Sequence, residues 1–386
     1  MPDATSIQPF QIAIPQADLD DLQQRLDRTR WAPQVPGTSW ERGVPRDYLQ
    51  GLVSYWRNDF DWRAQEATLN AFPQFVTEID GQTIHFLHVR SPEPNALPLF
   101  MSHGWPGSVA ELMAIVGPLT DPAAHGGDPA DAFHLIAPSL PGFGFSVPLR
   151  ESGWHLGRTT DAYITLMRRL GYDRYGVQGG DIGAGIAGRL ASLDGERVVG
   201  MHVNSDRGTS AMVGEFLPMP EGLTEEEMAR LHEIKQGSSD LNGYFVLQST
   251  RPQTLAYALA DSPVGQLAWI VEKFKDWTNS ARELPEDAVD RDHLLTNVSL
   301  YWFTNTGGPS ANFYYEGGHS DIDWTAPSDV PEGWAMFHSE PLMRRLFNAD
   351  GHIAHFSEFI EGGHFPAMEE PELLVEDVQA FFRGVR

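Results

Sequence analysis

One stretch, residues 175–186, constrains the fold more than any other part of the chain. An apolar run ends in two glycines, Asp181 follows, and a helical pattern begins at Ile182. The spacing Gly179-x-Asp181-x-Gly183 is typical of the strand–turn–helix motif called a nucleophile elbow, with Asp where Ser is usual. Glycines suit such a turn because it leaves no room for Cβ atoms. A glycine-rich turn with a capping Asp has the same local pattern, so the partners of Asp181 must decide between the two.

Strand and helix patterns alternate around this stretch. Short apolar strands are predicted at 99–101, 133–137 and 198–204, and helices at 109–119 and 159–170. Such alternation predicts an α/β fold with a mostly parallel central sheet and helices on both faces. The turn dipeptide Asp80-Gly81 between two alternating runs predicts a β-hairpin ahead of the parallel strands.

The alternation is absent at two places, and these define the expected domains. Residues 1–72 carry two amphipathic helical patterns, at 17–30 and 48–62, and form an N-terminal helical extension. Residues 209–320 are helical and rich in aromatic residues, which predicts a helical lid inserted into the core. The α/β core then consists of 73–208 and 321–386, with sheet patterns at 330–337 and 355–360 and a closing helix at 371–382.

Charge and composition exclude several classes of function. The net charge of −26 disfavours nucleic acid and anionic membranes as partners, and the absence of cysteine excludes thiolate catalysis and disulfides. We see no signal peptide and no apolar run of the roughly 18 residues that a membrane span needs. We therefore expect a cytoplasmic protein without a membrane anchor, a metal or a cofactor, and leave open whether it forms a homodimer.

Two residues late in the chain are candidates for a base and its acid. His364 follows the last predicted strand within Gly362-Gly363-His364, where chains with a nucleophile elbow place the general base. Glu340 follows the penultimate strand, and we expect its carboxylate to orient His364. Asp206, which follows the strand at 198–204, is the competing acid, although it also suits a turn or helix cap.

Backbone donors are expected to face the carboxylate of Asp181. His103-Gly104-Trp105-Pro106 follows a strand at the position that supplies an oxyanion-hole N–H group. The N–H groups of Trp105 and Ile182 would then form two donors. The Trp105 side chain itself can be core or pocket wall, and Pro106 is expected to fix the turn.

Several separated segments carry a resemblance to a known family. They are 54–62 (SYWRNDFDW), 103–108 (HGWPGS), the elbow, 261–265 (DSPVG) with 272–274 (EKF), and 362–365 (GGHF) before 369–373 (EEPEL). With these segments the chain resembles epoxide hydrolases of the α/β-hydrolase fold, of the microsomal and juvenile-hormone type with an N-terminal extension. The similarity runs nearly end to end, and the chain is more similar to soluble bacterial members than to membrane-bound ones.

The resemblance implies a role for each candidate residue. It places the nucleophile at Asp181, the base at His364 and the acid at Glu340. It also implies that two lid tyrosines, Tyr244 and Tyr314, protonate the epoxide; nothing in the residues alone selects them. The neighbouring Tyr315 stays open as the second acid.

The resemblance implies conversion of a small, largely apolar or aromatic epoxide to a vicinal diol through an ester on Asp181. A haloalkane dehalogenase also uses an Asp nucleophile, but there an indole typically lies beside the nucleophile, and here the neighbour is Ile182. A non-catalytic binding protein of the same fold is the third reading, although no triad member is missing. The substrate, its stereochemistry and a role in detoxification or secondary metabolism stay open.

Overall fold

Nine strands form one sheet within the part of the chain that the structure describes. The computed structural model describes residues 6–206, 221–322 and 327–386, and only the backbone of 235–240. The strands are β1 Gln8–Phe10, β2 Gln74–Ile79, β3 Gln82–Val89, β4 Leu97–Ser102, β5 Phe133–Pro138, β6 Tyr175–Gly180, β7 Val198–Asp206, β8 Glu332–Phe337 and β9 His355–Glu358. Their order across the sheet is β1-β2-β3-β5-β4-β6-β7-β8-β9.

The sheet is mostly parallel, as the sequence predicts. Strands β5, β4, β6, β7, β8 and β9 run parallel, and the hairpin of β2 and β3 joins them through an antiparallel pairing of β3 with β5. Asp80 and Gly81 have positive φ values of 51° and 72°, which is the conformation that a two-residue hairpin turn requires. Because the parallel strands share one direction, their carboxyl ends meet at one edge of the sheet.

Helices cover the sheet and also form much of the N-terminal extension and of residues 221–322, the described part of the segment predicted as the lid. The α-helices are α1 Gln16–Asp27, α2 Arg46–Asn58, α3 Trp62–Leu69, α4 Met113–Thr120, α5 Leu156–Arg169, α6 Ile182–Leu193, α7 Glu225–Leu241, α8 Gly243–Thr250, α9 Pro252–Asp261, α10 Pro263–Trp277, α11 Arg291–Phe303, α12 Gly307–Gly318, α13 Pro341–Phe347, α14 Pro366–Glu369 and α15 Pro371–Arg383. Short 3₁₀ helices lie at Val109–Leu112, Pro122–His125, Pro129–Asp131 and Pro285–Asp287. None of the described helices is both long and apolar enough to cross a bilayer.

The extension is not purely helical, because β1 pairs with β2 at the edge of the sheet. Helix α2 buries its apolar face, including Trp56, and the Trp56 indole N–H donates to the Ser299 hydroxyl of lid helix α11 at 3.0 Å. Tyr55 donates from its hydroxyl to Asp292 on the same lid helix at 2.8 Å. These two hydrogen bonds join the extension to α11. The predicted domain limit at residue 209 lies outside the described residues.

Candidate active site

Asp181 lies between β6 and α6 in a strained turn. Its φ is 53°, a left-handed conformation that is uncommon for a residue other than glycine. The neighbouring glycines allow the turn, because a Cβ on Gly183 would lie 2.0 Å from the Ser102 carbonyl oxygen and one on Gly179 would lie 2.3 Å from the backbone of Gly183. The sequence alternative of a simple capping Asp does not fit, since the Asp181 side chain makes no cap hydrogen bond. The carboxylate instead faces the carboxyl edge of the sheet.

One oxygen of the nucleophile candidate is held by a backbone donor, as expected for an oxyanion hole. The Trp105 N–H donates to Asp181 Oδ1 at 2.9 Å. A Cβ on Gly104 would lie 2.2 Å from the same oxygen, so this position requires glycine. Ile182, the other predicted donor, begins helix α6, where unpaired N–H groups favour negative charge.

Lid helix α11 holds the loop that carries this donor. Asn297 donates from its side-chain amide to the Pro106 carbonyl at 2.7 Å, and the Tyr301 hydroxyl donates to the Gly107 carbonyl at 2.9 Å. Ser108 donates from its hydroxyl to Asn297 at 2.7 Å. All three lid contacts are buried. They fix the Trp105 N–H relative to Asp181.

His364 lies between two carboxylates. Its Nε2 is 3.5 Å from Asp181 Oδ2, and its Nδ1 is 2.9 Å from Asp206 Oδ2. Burial lowers the pKa of His364, but hydrogen bonds to Asp181 and Asp206 and their negative charges outweigh burial and raise it to about 10. His364 therefore carries a proton near neutral pH.

The loop of His364 is fixed to the lid through its backbone. The His364 N–H donates to the Trp277 carbonyl at 2.8 Å, and the rings of the two residues lie 4.9 Å apart. Glu369 accepts from the N–H groups of Phe365 and Asn279, both at 3.0 Å. Burial is the main cause that raises the pKa of Glu369 to about 7. Neither Trp277 nor Glu369 was selected from the sequence.

The acid that lies beside His364 in the structure is the competing candidate, Asp206. Asp206, not Glu340, contacts Nδ1 of His364, and Glu340 instead accepts from Arg230 of lid helix α7 at 2.9 Å. Asp206 is the last residue of β7, in register with Phe337 of β8, so Glu340 lies three residues beyond the end of the neighbouring strand. Chain order alone cannot distinguish acids that follow adjacent parallel strands, because both reach the same edge.

We expect Asp206→Asn to slow hydrolysis of an ester on Asp181 by about 100-fold or more, because the amide removes the charge that holds and stabilises the His364 imidazolium. Glu340→Gln is the matched control and should keep hydrolysis near the wild-type rate. Rapid-quench measurement of ester formation and decay separates the two steps. Slow hydrolysis in Glu340→Gln with normal hydrolysis in Asp206→Asn would reverse the assignment.

Both lid tyrosines that the resemblance selects lie beside Trp105. The Tyr244 ring stacks on the Trp105 ring with centroids 5.0 Å apart, and the Tyr314 ring meets it edge-on at 5.9 Å. Burial, followed by the charge of Asp181, raises the pKa of Tyr244; burial also raises the pKa of Tyr314, with smaller contributions from Tyr244 and Asp181. Tyr315 differs, because its ring stacks on His319 at 4.0 Å.

Glu111 is a further acid near the site that sequence reasoning missed. It lies in the 3₁₀ helix that follows the loop of Trp105. Burial raises the pKa of Glu111 to about 7; the nearby His364 lowers it and Asp181 raises it. A carboxyl group with this pKa is partly protonated near neutral pH. A negatively charged Glu111 would repel a negatively charged Asp181.

One three-residue group among the described side chains has the composition of a metal site. His202, His355 and Asp377 bring their ligand atoms within 4.8 Å of one another. The Asp377 carboxylate contacts His202 Nε2 at 2.8 Å and His355 Nε2 at 3.0 Å, and also accepts from the Ser357 hydroxyl. Both carboxylate oxygens of Asp377 are thus engaged. Burial raises the pKa of Asp377, but these hydrogen bonds outweigh burial, and the net pKa is lowered. The group links helix α15 to strands β7 and β9.

Family models and relatives match nearly the whole chain. The family models "Epoxide hydrolase N terminus" and "alpha/beta hydrolase fold" match residues 7–112 and 98–371. A putative epoxide hydrolase of Stigmatella aurantiaca is 45% identical over 98% of this chain and 86% of its own length. Epoxide hydrolase 1 of Sus scrofa is 37% identical over 97% of this chain and 88% of its own length.

A solved structure gives the same result for the fold. The juvenile hormone epoxide hydrolase of the silkworm Bombyx mori superposes with a TM-score of 0.83 at 30% identity, over 99% of this chain and 95% of the silkworm chain. The matches cover the extension, the core and the lid together. The chain belongs to the epoxide hydrolase family of the α/β-hydrolase fold.

Proposed function

We propose that this enzyme converts an epoxide and water to a vicinal diol through a covalent ester on Asp181. The observation that carries the proposal is the placement of the two carboxylate oxygens. Oδ1 accepts from the Trp105 N–H at 2.9 Å, and Oδ2 lies 3.5 Å from His364 Nε2. One oxygen is thus held in a donor site, and the other, the attacking oxygen, faces the base that later activates water.

In the first half-reaction, Asp181 Oδ2 forms a bond to one ring carbon as the bond between that carbon and the ring oxygen breaks. The ring oxygen takes a proton from a phenol of Tyr244 or Tyr314, so the step leaves a hydroxyalkyl ester and a phenolate. Burial supports this role because it raises the pKa of both phenols and keeps them protonated. A phenol is still a stronger acid than the alcohol that forms, so the proton moves to the alkoxide.

Ester formation also makes His364 available as a base. Asp181 loses its charge when it becomes an ester, and with it goes one of the two carboxylates that raise the pKa of His364. The pKa of His364 then falls, and the imidazolium releases a proton that returns to the phenolate. A neutral His364 exists mainly while there is an ester to hydrolyse.

In the second half-reaction, His364 takes a proton from water, and the hydroxide attacks Cγ of Asp181. The negative charge develops on Oδ1, where the Trp105 N–H and the start of α6 stabilise it. The bond between Cγ and Oδ2 then breaks, and the departing Oδ2 takes the proton of the new hydroxyl group on Cγ by way of His364. The diol leaves, and the carboxylate is regenerated with one oxygen from water. Asp206 holds the imidazolium through Nδ1.

The side chains around Asp181 favour a largely apolar or aromatic epoxide. The centroid of the Tyr244 ring is 5.1 Å from that of Trp277 and 6.3 Å from that of Phe245. The same ring stacks on Trp105. Such a wall provides apolar surface with phenol hydroxyls as its polar groups.

A panel of epoxides with detection of the diols tests this function. We expect wild-type enzyme to form diols from aryl and alkyl epoxides with higher kcat/KM than from polar epoxides of similar size. Asp181→Asn, which keeps the size of the side chain but cannot form the ester, should form none. Diol formation by freshly prepared Asp181→Asn, or release of halide from haloalkanes by the wild type without epoxide hydrolysis, would contradict the proposal.

A further inference from the structure

Lys273 of lid helix α10 is a buried cation that the proposed steps do not use. Its side chain is 2% exposed. Its ammonium contacts Glu272 Oε1 at 2.7 Å and Asp276 Oδ2 at 3.2 Å, and these acids are themselves 32% and 22% exposed. A lysine is rarely buried to this extent, because its ammonium loses its hydration. The two carboxylates compensate for that loss and fix the position of the charge.

The ammonium also lies against the aromatic wall of the active site. Lys273 Nζ is 5.2 Å from the ring centroid of Tyr244 and 5.7 Å from that of Trp277. Both distances are within the range of cation–π contacts. Tyr244 in turn stacks on Trp105, whose N–H donates to Asp181. A fixed positive charge therefore lies against the ring of the proposed acid, Tyr244. Only Trp105 lies between that ring and the nucleophile in this series of contacts.

We propose that Lys273 is a positioning residue for epoxide opening, which acts through Tyr244 by stabilising the negative charge that its ring acquires as the phenol proton leaves. This inference rests on the proposed function, in which Tyr244 donates that proton.

The physical reason is that the contact strengthens during the reaction. A neutral phenol ring attracts a cation through its quadrupole alone. A phenolate carries a full negative charge delocalised into the same ring, so the attraction to Lys273 grows as the proton moves to the epoxide oxygen. An interaction that is stronger in the transition state than in the ground state raises the rate of that step. Glu272 and Asp276 oppose this effect in part, since they neutralise some of the ammonium charge.

A purely structural role would give a different signature. The Lys273 ammonium also contacts Trp277, whose carbonyl holds the backbone of His364. If Lys273 served only to hold α10 in place, its loss would disturb His364 as well as Tyr244, and both half-reactions would slow together. If it acts through the charge of Tyr244, epoxide opening alone should slow.

The test measures ester formation and ester hydrolysis separately, by rapid quench with enzyme in excess over an aryl epoxide. We expect Lys273→Met to slow ester formation about tenfold, which corresponds to a rise of one unit in the pKa of the Tyr244 phenol. Hydrolysis of the ester should stay within about twofold of the wild-type rate. Lys273→Arg should restore ester formation. Lys275→Met is the matched control on the same helix, since its ammonium contacts the Arg282 carbonyl at 3.4 Å, and we expect no change.

A double-mutant cycle shows whether the effect passes through Tyr244. In a Tyr244→Phe background, Lys273→Met should slow ester formation no further, because no charge develops on a phenylalanine ring. A full additional tenfold loss in that background, or equal slowing of both half-reactions by Lys273→Met, would overturn the inference. If Tyr244→Phe itself does not slow ester formation, the acid of the proposed function fails, and that single variant shows it independently of Lys273.

Glu272→Gln tests the direction of the change in the rate of ester formation, and this test does not require that Lys273→Met folds. It removes a negative charge 2.7 Å from the ammonium, so the phenolate of Tyr244 should be stabilised more strongly. We expect ester formation as fast as in the wild type or up to about threefold faster, well under the tenfold that one full pKa unit represents. Slower ester formation in Glu272→Gln would overturn the inference.

Discussion

The His364→Gln enzyme is expected to form the ester on Asp181 and then fail to hydrolyse it. General-base assistance of this kind is worth about 10²–10⁴ in rate, and glutamine cannot accept a proton from water. Asp181 and its donor at Trp105 are unchanged, so epoxide opening should continue for one turnover. Intact-protein mass spectrometry should show nearly stoichiometric enzyme with the added mass of the epoxide.

The matched control is His352→Gln. His352 also pairs with a carboxylate, Asp350, but its side chain is 59% exposed. It should turn over like the wild type. Steady diol formation by His364→Gln at the wild-type rate would show that another group activates the water, and the assignment of the base would be wrong.

Replacing both lid tyrosines is expected to have the opposite effect on the two half-reactions. Tyr244→Phe and Tyr314→Phe should each slow ester formation by about 10²-fold, and the double variant should be nearly inactive with epoxides, because the alkoxide leaves without a proton. Hydrolysis of an ester already formed should change little, since neither phenol contacts His364 in the proposed step. Each change removes one hydroxyl oxygen from a ring that keeps its packing, so the protein should stay folded.

Tyr315→Phe is the control for this pair, because Tyr315 is adjacent in the chain but stacks on His319. We expect normal ester formation in this variant. If Tyr315→Phe slows epoxide opening and Tyr314→Phe does not, the second acid is Tyr315. If none of the three variants has an effect, the lid supplies no acid.

The parts of the site that depend on local chain geometry could be predicted from the sequence. The elbow at Asp181 depends on glycines within two residues on either side, and the structure shows that those glycines leave no space for a Cβ. The position of His364 after the last strand and of Trp105 after β4 follows from the order of strands in a parallel sheet. Each of these inferences needs only neighbours in sequence or a general rule of topology.

The parts that depend on packing between distant segments could not be predicted. Asp206 ends β7 and Glu340 follows the adjacent β8. Only the packed structure shows that Arg230 engages Glu340 while Asp206 contacts His364. Helix α12 also depends on packing between distant segments, because glycines at both its ends give it weak helical propensity. Its Gly308 is required by packing, since a Cβ there would lie 2.4 Å from that of Ala256 in α9.

The central claim, a covalent ester on Asp181, is tested most directly by one turnover in water enriched in ¹⁸O, with enzyme in excess over the epoxide. The account predicts that the first diol contains no solvent oxygen, because its new oxygen comes from the Asp181 carboxylate, and that peptide mass spectrometry finds one ¹⁸O in Asp181. A first diol that carries ¹⁸O, with an unlabelled Asp181, would show that water attacks the epoxide directly and would contradict the account.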